Sequence, residues 1–210
     1  MADDAERGQD ARAAAPALKA AVTTEVVSEA GAERWLAAHR DGAQPEEALA
    51  FFDRLPTVTV AEMLGRWRGS GLHTGSRLDG LLEAYGWYGK EFSGPESVHP
   101  LLFRGRDGRP RPVDPALIPL GLLRDHTGLA RSWPVRTAFG RLRPLFHTNR
   151  PTARLREVQH RGVTTAAMVY DALPIIDVFR RVGPDVVLGA MDMRGLPAPF
   201  FFLLERDDST

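Results

Sequence analysis

Residues 200–204 read Phe-Phe-Phe-Leu-Leu, and Val186-Val187-Leu188 repeats the pattern upstream. Successive side chains of a strand point to opposite faces, so an unbroken apolar strand must be covered on both sides. A closed sheet buries one face in its interior. The other face then needs a helix or a second copy of the chain, so a homodimer is one expected arrangement. The turn cluster Arg194-Gly195-Leu196-Pro197 separates the two runs, as in a hairpin. These features point to an α+β fold that is mainly antiparallel β.

The rest of the chain fits around that sheet. Segments 153–160 and 163–170 (VTTAAMVY), 185–193 and 199–205 have the residue choice of strands. Pro174 at a first-turn position, followed by Ile175, Phe179, Val182 and Gly183-Pro184, predicts a short helix over 174–182. Helices are expected over 25–40, ending at Asp41-Gly42, and over 45–55, opened by Pro45. Thr59-Val-Ala-Glu62 is a capping box for a single turn that Gly65 stops. Leu78, Leu81, Leu82 and Tyr85 share one helical face. Residues 131–147 suit an arginine-studded helix that Pro144 ends early. The expected organisation is a disordered tail (1–20), N-terminal helices (21–56), a first sheet module (57–116), an arginine-rich connector (117–150) and a C-terminal strand module (151–208).

Composition removes several functions. The chain of 210 residues has no cysteine, which excludes disulfides, thiolate nucleophiles and cysteine-bound metals. No apolar run approaches the ~18 residues of a membrane-spanning helix. The N-terminus lacks an apolar signal core, so a soluble cytoplasmic protein without a membrane partner is expected. Formal net charge is zero, but the segments differ: −5 over 1–60, +6 over 61–150 and −1 over 151–210. The acidic start is therefore an expected partner for the arginines of 104–150. Nucleic acid is disfavoured as a partner, because no recognition motif accompanies those arginines.

Gly65-Arg-Trp67-Arg-Gly69 carries a tryptophan between two glycines. Glycine permits a bend and close backbone approach, and Trp67 supplies a large plug with one N–H to satisfy. With Gly86-Trp-Tyr-Gly-Lys90-Glu-Phe92 and His99-Pro-Leu-Leu-Phe103, this stretch resembles the GXWXG protein family. Ala153-Arg-Leu-Arg156, Leu173-Pro-Ile-Ile-Asp177, Gly189-Ala-Met-Asp192 and Pro199-Phe-Phe-Phe-Leu203 resemble its companion, domain of unknown function 4334. The resemblance implies an architecture and carries no activity. By looser analogy it suggests a lipocalin-like or nitrobindin-like barrel with short inserted helices and an N-terminal helical segment. Such barrels bind lipids, small apolar molecules or haem.

Four groups of residues have chemistry to offer. Asp171 and Asp177 are candidate acids or bases if apolar neighbours raise their pKa. Read as structure, Asp171 caps the 174–182 helix and Asp177 pairs with Arg180 one turn on. Lys90 is the one lysine beyond Lys19, in a chain that otherwise uses arginine. It can anchor an anion or act as a base. His73 and His99 are candidate cavity residues or lone haem ligands, and His73 is also an acid/base candidate. No histidine pair has zinc-site spacing, so no metal site is expected. No nucleophile elbow, P-loop or dinucleotide-binding glycine motif is present.

The leading expectation is a barrel that binds a small apolar or amphipathic ligand. Trp67, Trp87, Tyr88, Met168, Tyr170, Met191 and Phe201 are the expected liners, with Arg154 and Arg156 for an anionic end. The alternatives are an isomerase, hydratase or cyclase using Asp171, Asp177, His73 and Lys90, and a haem protein. The sequence names no cofactor.

Overall fold

The computed structural model describes residues 25–105, 107–118, 128 and 132–208. The expected tail over 1–20, most of 117–131 and His126 lie outside them. Nine strands form one antiparallel sheet: β1 (Gly65–Gly71), β2 (Trp87–Gly94), β3 (Ser97–Arg104), β4 (Pro110–Pro112), β5 (Ala153–His160), β6 (Val163–Tyr170), β7 (Ile175–Gly183), β8 (Val186–Met193) and β9 (Phe200–Arg206). Their order is β2-β1-β9-β8-β7-β6-β5-β3-β4, and β2 also pairs with β3. Eight strands thus close into a ring, and β4 is appended to β3. The helices are short: α1 (Glu29–Ala38), α2 (Pro45–Arg54), α3 (Val60–Met63), α4 (Leu81–Ala84) and α5 (Trp133–Leu142). Among the described residues, no helix is long and apolar enough to cross a membrane.

Two apolar clusters occupy the two faces of the sheet. The inner cluster includes Trp67, Phe92, Leu155, Met168, Phe179, Phe200 and Phe202. The outer cluster joins Phe51, Phe52 and Leu55 of the α2 region to Val178, Leu188, Ala190 and Phe201. The second face of the continuous apolar strands is therefore covered within the chain, by α1 and α2. Caps fix where these helices start. Ser28 Oγ accepts from Gly31 N, and the box at α3 is complete, with Thr59 N donating to Glu62 Oε2 at 2.7 Å and Glu62 N donating to Thr59 Oγ1 at 3.2 Å.

One element differs in kind from its expectation. Residues 175–183 are a strand, not a helix. Ile175, Asp177 and Phe179 face inward, while Val178 and Val182 face the helices. Four of the residues are β-branched, and β7 pairs with β8 along its length. The inner cluster and the α1–α2 layer bury both of its faces, which masks the alternation on which periodicity depends. Asp177 and Arg180, three apart, consequently lie on opposite faces and do not pair. Asp171 caps no helix; its carboxylate takes Arg154 Nε at 2.8 Å.

Among the described acidic residues, Asp53 of α2 pairs with Arg161 in the β5–β6 turn at 2.6 Å, and Glu62 of α3 pairs with Arg181 of β7 at 2.8 Å. Arginines of the middle segment instead secure α4. Arg136 Nε donates to Ala84 O at 3.0 Å and Arg143 Nη1 to Tyr85 O at 3.5 Å, both C-terminal carbonyls of that turn. Arg143 Nη2 also donates to Arg104 O.

Candidate functional site

The inner face of the ring and the helices α4 and α5 enclose a cavity of about 150 Å³. Its helical wall is Leu78, Leu81, Leu82 and Tyr85 opposite Val135 and Phe139. Tyr85 and Phe139 meet edge to face at 4.8 Å between centroids. The strand wall comprises Leu101 and Phe103 of β3, Ile175 of β7, Met191 and Met193 of β8, and Phe200 and Phe202 of β9. Among the described residues, Lys90 and Asp177 carry the only charges on this lining.

That pair is deeply buried: Lys90 is 3% exposed and Asp177 1%. Lys90 Nζ lies 2.8 Å from Asp177 Oδ2, an ion-pair contact whose alignment is not that of a directed hydrogen bond. Nζ also donates to Pro100 O at 3.2 Å and to Tyr170 Oη at 3.5 Å. Three aromatic rings surround the ammonium, with centroids at 4.9 Å (Phe202), 5.6 Å (Trp87) and 5.8 Å (Tyr170). Burial raises the Asp177 carboxyl above the ordinary carboxylate range, although Lys90 pulls it back down. Burial, and then the charge of Asp177, push the Tyr170 hydroxyl well up, so it stays protonated. Besides Asp177 Oδ2, whose one partner is the Lys90 ion-pair contact, two polar atoms on the lining have no hydrogen-bond partner among the described residues: Asp177 Oδ1 and Trp87 Nε1.

Glycines shape this arrangement. A Cβ on Gly69 would lie 2.1 Å from the Trp87 ring, and one on Gly189 2.3 Å from the Phe202 ring. Each glycine is thus the notch that seats one aromatic beside Lys90. Gly89, at φ +149, interrupts the β2–β3 register on either side of it. Strict alternation would put Trp87 and Lys90 on opposite faces of β2. The irregularity at Gly89 brings both inside.

Of the residues singled out by sequence, Trp87, Lys90, Tyr170, Met191 and Asp177 meet at the cavity. The others do not line it. Trp67 plugs the core, with Nε1 donating to Met63 O at 2.8 Å and the Arg206 guanidinium 4.3 Å from its ring. Met168 is buried in the inner cluster. Tyr88 faces away from Lys90 and donates to Asp207. Phe201 belongs to the outer cluster, and its neighbours Phe200 and Phe202 take the inner positions. Arg154 and Arg156 form ion pairs with Asp171 and Glu96. His73 is exposed, and His99 is half-buried away from the cavity. The sequence reading passed over Leu78, Leu81, Leu82 and Tyr85 as liners, although they already form one apolar face. Phe139 and Phe202 gave no separate signal.

The chain matches two family models, "GXWXG protein" over residues 50–108 and "Domain of unknown function (DUF4334)" over 151–206. The first spans β1 to β3, and the second spans β5 to β9. A solved structure, described as the crystal structure of a protein from Thermomonospora curvata, is similar at 35% identity with a TM-score of 0.62. The match covers 84% of this chain and 98% of that one. The comparison with curated proteins returned no match. With both modules in order and this identity across a solved relative, the chain belongs to the GXWXG–DUF4334 family.

Proposed function

We propose that the ring is a lipocalin-like barrel and that the protein binds a small, largely apolar molecule inside it. The observation that carries this reading is an almost wholly apolar cavity inside the ring with one compact polar group, Lys90–Asp177–Tyr170, in its wall. Ligand sites have this composition: apolar walls for affinity and a few fixed polar atoms for orientation. A cavity of similar volume lined by aliphatic and aromatic side chains holds benzene. Saturation-transfer NMR with toluene tests the reading. Binding by the native protein that is lost when Leu82→Trp fills the helical wall is the expected result. Absence of transfer to the native protein would overturn it.

A second reading is proton-transfer chemistry in the same cavity. It rests on Asp177, whose carboxyl is pushed up by burial and keeps one oxygen without a hydrogen-bond partner. An apolar β,γ-unsaturated ketone incubated with the protein in D2O should then gain deuterium at its α-carbon. Asp177→Asn should abolish the gain, and incorporation no faster than in buffer would sink the reading.

A further inference from the structure

We infer that the cavity selects an uncharged ligand bearing a hydroxyl group, held between Asp177 Oδ1 and Trp87 Nε1. This inference rests on the ligand-binding reading and specifies its chemical class. Lys90 and Asp177 cancel each other's charge at 2.8 Å. Lys90 Nζ already has three oxygens around it, Asp177 Oδ2, Pro100 O and Tyr170 Oη, so an incoming anion would compete with the Asp177 carboxylate for the ammonium. A carboxylate entering here would meet the Asp177 carboxylate, and an ammonium would meet Lys90. Either would be a second buried charge without a counter-charge.

The lining keeps both acceptor and donor capacity, with Asp177 Oδ1 and Trp87 Nε1 outside the Lys90 contacts. Asp177 Oδ1 and Trp87 Nε1 are both buried, both belong to residues lining the cavity, and neither has a partner among the described residues. A hydroxyl donates one hydrogen bond and accepts another, so it is the neutral group that complements both an acceptor and a donor. Among the described residues no arginine lines the cavity, so none alters this balance. The cavity volume suits a ligand of about the size of a substituted benzene.

A matched series of toluene, benzyl alcohol, benzoate and benzylamine, titrated by NMR into the full-length protein, tests the class. Benzyl alcohol should bind about tenfold more tightly than toluene, from hydrogen bonding to a charged acceptor. Benzoate and benzylamine should bind at least about tenfold more weakly than the alcohol. Trp87→Phe keeps a ring over Gly69 and removes the donor. It should weaken benzyl alcohol several-fold and leave toluene unchanged. If toluene binds as well as the alcohol, or Trp87→Phe affects both alike, the hydroxyl assignment fails while the apolar pocket stands. A preference for benzoate or benzylamine overturns it in favour of a charged ligand. If nothing in the series binds the native protein, the ligand-binding reading fails with it. The ranking in the native protein decides the matter even if Trp87→Phe does not fold.

Discussion

Lys90 and Asp177 show how far single residues can be read from sequence. Lys90 stood out because arginine fills nearly every other basic position. Its partner was not legible, because Asp177 and Lys90 are far apart in sequence and the local pattern pointed Asp177 at Arg180. Removing one member of a buried pair leaves the other charge uncompensated, at a cost of about 3–5 kcal/mol. Asp177→Ala and Lys90→Met should each lose roughly that much in urea unfolding. The double variant should lose much less than the sum, and an additive result would mean that the two charges do not interact. Histidines set the pH response. Burial lowers the pKa of His99 and His160, and each has a buried Nδ1 without a partner. Glu91 faces His99, while Arg161, Asp192, Arg180 and Asp53 surround His160. A histidine with a depressed folded pKa stabilises fully above the unfolded value of about 6.5, and that contribution is lost as pH falls through the folded value. Stability should therefore decline as pH falls below about 6.5. His147 is lowered in the same way, by burial and then by the charges of Arg111 and Arg143. Replacing all three histidines by glutamine should flatten the decline; an unchanged slope would place its origin elsewhere.

At the level of elements, α1 to α3 and the paired strands β5, β6, β8 and β9 lie within a few residues of their expected positions, because caps, proline and turn clusters are local signals. β7 is not legible as a strand in sequence, because other parts of the chain cover both of its faces and blur the alternation. The irregularity in β2 was not legible either, since its cause is contact between strands. A Cβ on Gly89 would lie 1.9 Å from Trp67 O. At φ +149 this position also strains any L side chain. Gly89→Ala should therefore destabilise by more than about 1 kcal/mol. Gly94→Ala, in the same strand with nothing near its Cβ, should have a much smaller effect. Equal shifts in the urea midpoint would show that strand propensity, not contact with Trp67, decides the cost.

For the whole molecule, the two family modules meet along two seams of one ring. β1 pairs with β9 over five residue pairs, from Trp67–Arg206 to Gly71–Phe202. β3 meets β5 through a single pair, Val98–Ala153, supported by Thr152 N donating to Val98 O and Leu155 N donating to Pro95 O. Each module alone would leave open strand edges and half of the inner cluster uncovered. A chain cut between residues 131 and 132 should therefore give two fragments without near-ultraviolet circular dichroism when separate, and restore it when mixed. Ordered signal from either fragment alone would argue against a shared core.

The four tryptophans occupy four distinct surroundings. Trp35 is stacked on His39 and Phe51, Trp67 is sealed in the core, Trp87 faces the cavity, and Trp133 is 75% exposed at the start of α5. Their light emission is accordingly divided by location. Iodide in solution reaches Trp133 first, whereas a guest inside the ring touches Trp87. With Trp133→Phe and the partly buried Trp35→Phe, the remaining emission comes from the buried Trp67 and Trp87, so a spectral change on adding a small molecule would report events at Trp87. The notch at Gly69 thus gives the protein a built-in optical gauge of what occupies its interior.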